Sequence, residues 1–219
     1  MPETRLSAAA PSSLMDYVSE HGSYSSPYLT KICNDYSILN SADVADIAHF
    51  FCALHGRHPG VVDHASTKTT EEAARDWFVT AMDGFASERG FLTKLTVSAG
   101  PISGVSANDQ SNATLEGQRK ALDMLSQSDR NGCALGASFA LVLDWHSIRT
   151  VLEQIALKLD VEPRQWPLPS VEVTELLNTR LCQTPTMKRA INFGVDQILS
   201  QHRGLWQLLE ARRKVRADG

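Results

Sequence analysis

Three histidines and one glutamate fall where helical periodicity calls for apolar side chains: His55, Glu88, His146 and His202. Each sits on or beside the hydrophobic stripe of a different expected helix. A titratable group withdrawn from water is destabilising unless it is paired, hydrogen-bonded or put to use. Converging between facing helices, these four could line a pocket for a small molecule or hold a metal. Glu88 would then be general base or ligand, and the three histidines acid–base or ligand partners. The structural alternative is that each lies at a stripe edge, half exposed or bonded to a backbone carbonyl. Glu88 fits that alternative least, because a carboxylate in mid-stripe is uncommon.

The densest histidine cluster is the segment His55-Gly56-Arg57-His58-Pro59, followed by Asp63-His64. His55, His58, Asp63 and His64 could offer imidazole and carboxylate ligands to zinc or iron, although their spacing matches no standard zinc pattern. A helix ending in Gly and Pro also favours histidine for its dipole alone. Asp46-x-x-His49 mimics half of a di-iron carboxylate site, but no second copy exists and both residues are expected to face solvent. Asp144 and His146 are near in sequence yet diverge around a helix, so they make no dyad by themselves. Arg212, Arg213, Lys214 and Arg216 form a basic tail that is expected to complement a helix dipole and solvate its end. No nucleophile elbow, phosphate loop, dinucleotide fingerprint or HExxH motif is present.

The elements that must position these residues read as helices. Ser41 is the expected N-cap of a helix carrying Val44, Ile47, Ala48, Phe51, Cys52 and His55, ended by Gly56 and Pro59. A loop through Val61 and His64 leads to Thr69-x-x-Glu72, read as a capping box opening a long helix to Ala99. Its stripe is Ala74, Trp77, Phe78, Ala81, Phe85, Glu88, Leu92 and Leu95, with Gly84 and Gly90 suited to a kink or a close contact. Residues 100–112 read as a surface loop, and an amphipathic helix is expected from about Thr114 to Gln127. The most apolar segment, about 132–159, should be the central helix. Within it, Gly132-x-x-x-Gly136 with Ala137 and Ala140 would let a neighbour approach closely. Pro163–Pro169 is a turn-rich connection. Thr184-Pro185 should cap a last helix bearing Ile191, Val195, Ile198, His202 and Trp206.

No alternating run suggests a strand, so the expected fold class is all-α, a single-domain multi-helix bundle over 12–219 after a disordered lead-in at 1–11. With 219 residues, 42% hydrophobic and 21% charged, the chain can bury a substantial core. A net charge of −4 argues against nucleic acid as a partner. Cys33, Cys52, Cys133 and Cys182 are widely spaced, which argues against a disulfide framework or structural zinc site. The N-terminus has no apolar signal region and the longest apolar run is too short for a bilayer, so a cytoplasmic location is expected.

The run from Ala53 to Ala65, with Glu88-Arg-Gly-Phe-Leu and Gly132-Cys-Ala-Leu-Gly136, resembles an uncharacterised bacterial all-helical family over residues 40 to 160. That resemblance implies a helical fold and transfers no residue roles. The arrangement of long helices around a glycine-bearing one is also similar to heme-oxygenase-like and TenA-like bundles, an analogy of fold alone. The residues leave the function unidentified. The leading expectation is a small-molecule pocket lined by Glu88, His55, His146 and His202, with catalysis left open. The alternatives are a non-catalytic homodimer and a histidine-rich metal-binding loop protein.

Overall fold

The computed structural model describes residues 13–102, 108–163 and 168–218. The lead-in expected at 1–11, together with parts of the 100–112 loop and of the 163–169 connection, lies outside the described residues. Every regular element among the described residues is helical: α1 Leu14–His21, α2 Pro27–Asn34, α3 Ser41–His55, α4 Val61–Lys68, α5 Arg75–Ala99, α6 Asn108–Ser126, α7 Cys133–Lys158, α8 Val171–Leu181 and α9 Pro185–Asp218. Short 3-10 turns follow α1 and α2 and precede α5. No described helix is long and apolar enough to cross a membrane.

The central helix is α7, as its all-round apolarity predicts: Leu141, Trp145, Ile148, Leu152 and Ile155 are buried, as are Leu135, Phe139 and Val142 on a second face. Its main partner is α9. A Cβ on Gly136 would overlap the carbonyl of Ile191, and one on Gly194 would overlap that of Cys133. The two glycines therefore let the backbones meet without intervening side chains. Gly132, with φ of 97°, caps α7 in the left-handed region that favours glycine.

Several boundaries differ from the sequence reading. Asn40, not Ser41, caps α3, in a reciprocal box with Asp43. The segment through Val61 and His64 is a helix, α4, rather than a loop, with Asp63 in its first turn accepting from the Gly60 amide at 2.8 Å. Thr69 and Glu72 form no capping box, because the Thr69 hydroxyl donates to Ala65 and closes α4 instead. Helix α6 begins at Asn108, inside the segment read as loop. Thr184 does cap α9, accepting from the Met187 amide at 3.2 Å ahead of Pro185.

The basic tail does not merely solvate a helix end. Arg212 grips Asp46 through Nε and Nη2 at 2.8 and 3.0 Å, and donates to the Ser111 hydroxyl at 3.1 Å. Arg216 bonds both Asp46 and Asp43, and Arg213 lies 3.6 Å from Asp43. Both aspartates are buried, so the expectation of a solvent-facing Asp46 fails. His49, half-buried, turns instead to the Gly100 carbonyl at 2.7 Å. The stripe logic missed this because one turn of α3 is buried all round, with its charge matched by a segment 166 residues away.

Candidate functional site

At the end of α3, a cluster of aromatic rings fixes the place of His55. Phe51 packs on Trp206 and Trp145 with ring centroids 5.1 and 6.3 Å apart, and Phe85 of α5 meets Trp145 at 5.3 Å. His55, one turn beyond Phe51, stands edge-on to Trp145 at 5.4 Å. Its Nε2 lies 3.0 Å from Nε2 of His202 on α9. Nδ1 of His202 is 2.5 Å from Asp144 Oδ2 on α7. Asp144 also accepts from the Ser23 amide at 2.8 Å and the Ser23 hydroxyl at 2.6 Å. Gly22 makes that approach possible, since a Cβ there would overlap the carboxylate.

The result is a buried chain, Ser23–Asp144–His202–His55, drawn from four parts of the sequence. Its partners assign the tautomers. An Asp144 carboxylate requires a proton on His202 Nδ1, which leaves Nε2 of neutral His202 as an acceptor for Nε2–H of His55. Burial, reinforced by the positive charge His202 can carry, holds the His55 imidazole well below its ordinary pKa, so His55 is neutral.

His55 also lines a cavity of about 210 Å³ between α3, α4, α5 and α6. Buried Leu54, Val62, Phe85, Leu122 and Leu141 form its apolar walls. Arg89, Arg119 and His64 supply polar wall groups, while exposed Arg57, His58 and Asp123 stand at its mouth. Arg89 is held by Asp63 at 2.9 Å.

The four stripe residues thus separate. His55 and His202 are brought into contact. Glu88 lies behind Trp145, buried at 2% exposure, where it accepts from Trp145 Nε1 at 3.0 Å and from Arg149 Nη1 at 2.5 and 2.6 Å. Arg149 is itself 0% exposed and stacks on Phe91 with its guanidinium 4.0 Å from the ring centroid. Glu88 is therefore the counter-ion of a buried arginine and does not line the cavity. His146 is half-buried elsewhere on α7; burial lowers its pKa, partly opposed by Glu172 of α8. Among the metal candidates, His58 Nε2 is 3.7 Å from Asp63 Oδ1, but Asp63 is committed to Arg89 and to the Gly60 amide. No group of three or more His, Cys, Asp or Glu among the described residues is placed to hold a metal. All four cysteines are free thiols.

Sequence reasoning missed Asp144, Ser23 and Arg149. It tested Asp144 only against its neighbour His146 and looked no further along the chain. Arg149 carried a usable signal: it follows Trp145 by one helical turn on the most apolar helix, where a cation needs a buried carboxylate.

No curated protein and no solved structure matches this chain, so the likeness to heme-oxygenase-like and TenA-like bundles gains no support from comparison. Over residues 18–217 the sequence matches the model of a family of unknown function, DUF6975, and the chain belongs to that family.

Proposed function

We propose that this protein binds a compact small molecule in the cavity beside His55 and exchanges a proton with it. The observation that carries this reading is the meeting of the buried Asp144–His202–His55 chain with the cavity wall. A buried, neutral histidine backed by a second histidine and a carboxylate is arranged to accept a proton at Nδ1 and release one from Nε2 to His202. His202 would take up that proton while bonded through Nδ1 to Asp144 at 2.5 Å. The cavity volume, about 210 Å³, falls below the roughly 300–1,000 Å³ of drug-sized sites, which favours a small ligand. Glu88 takes no part in this scheme. Gly136 and Gly194 seat α9 against α7 within the chain, so they lend the homodimer alternative no support. Four free thiols favour a reducing compartment, consistent with the cytoplasm.

Thermal unfolding against a set of compact polar fragments tests the reading. Hits should stabilise the wild type and lose their effect in Ser126→Leu and Leu122→Phe, two independent ways of filling the cavity. Calorimetric titrations in two buffers of different ionisation enthalpy should reveal proton exchange that disappears in His55→Gln. Hits that stabilise both filled variants as strongly as the wild type would refute it.

A further inference from the structure

Arginines outnumber acids among the residues that line the cavity. Three arginines line it, Arg57, Arg89 and Arg119, against one acid, Asp123, which is exposed at the mouth. Two of the arginines are constrained by acids outside the wall: Asp63 fixes Arg89 at 2.9 Å, and Glu116 holds Arg119 Nη1 at 3.0 Å. These pairs occupy one guanidinium nitrogen each, and arginine has five N–H donors in a rigid fork. On Arg119 the Nε–H is buried and has no acceptor. A buried donor without a partner is destabilising, and a charged one more so.

The opening turn of α4 adds to this field. Gly60, Val61 and Val62 line the cavity, and the first amides of a helix have no intrahelical acceptor. Asp63, the acid of that turn, is taken up by Arg89 and by the Gly60 amide. The lining therefore offers more donors than acceptors.

Resting on the small-molecule reading above, we infer that the ligand of this cavity is a small anion whose carboxylate or phosphate head is received by Arg119 and Arg89. The head accepts from the guanidinium N–H groups that Arg119 and Arg89 leave unshared with Glu116 and Asp63. The rest of the molecule extends along Leu122, Phe85 and Leu141 towards His55. Carboxylate and phosphate each present a pair of acceptor oxygens that a guanidinium fork can bond together, and the cavity is small enough to exclude a large body behind the head.

Matched pairs of probes separate this inference from the reading beneath it. Propionate, propionamide and inorganic phosphate are titrated at constant ionic strength into the full chain, followed by nitrogen–proton spectra that resolve arginine Nε–H signals. Propionate or phosphate should bind saturably and shift the Arg119 Nε–H signal, with propionamide weaker by about tenfold or more. Arg119→Gln should weaken the anions by a similar factor and leave propionamide unaffected. If propionamide binds as well as propionate and both fail in Ser126→Leu, the pocket stands and the anion assignment is overturned. Anion binding that ignores both Arg119→Gln and Ser126→Leu also overturns it. If none of the probes binds and the fragment set yields no hits, both readings fall.

Discussion

Glu88 and His55 are both buried titratable groups, and their chemistry diverges because of their partners. Glu88 is matched by Arg149 in a setting that excludes water. Glu88→Gln should destabilise the fold by about 3–5 kcal/mol in urea titrations, because it removes the buried counter-ion of the Arg149 guanidinium and leaves it only the partly exposed Glu153 at 3.2 Å. Glu88→Met combined with Arg149→Leu should recover much of that loss, since it removes both charges together. His55 has no such counter-ion, and burial lowers its pKa in the folded state. The unfolded chain then binds a proton that the folded chain refuses once the pH drops below about 6.5, the ordinary imidazole value. Stability should be fully present above that pH and decline as acidity carries it towards the folded pKa. In His55→Gln the acid slope of unfolding free energy should flatten by up to about one proton. His146, depressed in the same direction, makes His146→Gln the parallel measurement. An unchanged slope in His55→Gln would show that folding does not lower the His55 pKa. Periodicity located both groups because each interrupts an apolar stripe. It could not supply their partners, since Arg149, His202 and Asp144 lie 61, 147 and 121 residues from Glu88, His55 and Ser23 respectively.

At the scale of elements, the contact between α7 and α9 is set by small residues. Gly194→Ala should destabilise at or above the upper end of the roughly 1–3 kcal/mol typical of overpacking, because the obstacle is the Cys133 carbonyl and not a movable side chain. Gly90→Ala on α5 is the counter-case. That glycine is exposed in a helix interior with open space around it, so alanine should stabilise by about 0.5–1 kcal/mol in the same assay. The long helices were legible from the sequence because fifteen or more residues of consistent period outweigh local ambiguity. Helix α4 was not. Its eight residues include Asp, His, Ser, Thr and Lys, too few turns for a stripe to emerge. That short helix carries one wall of the cavity, so the element hardest to read is also among those nearest the candidate site.

Across the whole molecule, the end of α9 closes against the start of α3. Removing residues 212–219 should destabilise by about 3–5 kcal/mol in denaturant titrations, because Asp43 and Asp46 would remain buried without Arg212, Arg213 and Arg216. Asp46→Asn tests the same clasp from the other side and should fall short of the truncation, since Asp43 keeps its partners. Equal stability of the truncated and full chains would show that the clasp is solvated. The sequence displayed the four cations plainly, but read from one end of the chain they had no visible anions. Asp46 was weighed only against His49, and Asp43 stands in the first turn of a different helix.

The clasp also imposes an order on the chain's emergence from the ribosome. The acids of α3 are made early, and the arginines that neutralise them arrive 166 residues later in the case of Asp46 and Arg212. At about 5–20 residues per second, α3 waits many seconds with two carboxylates that cannot be buried alone. Burial of that turn of α3 should therefore wait for the arginines of α9. Closure of this clasp would then be paced by translation.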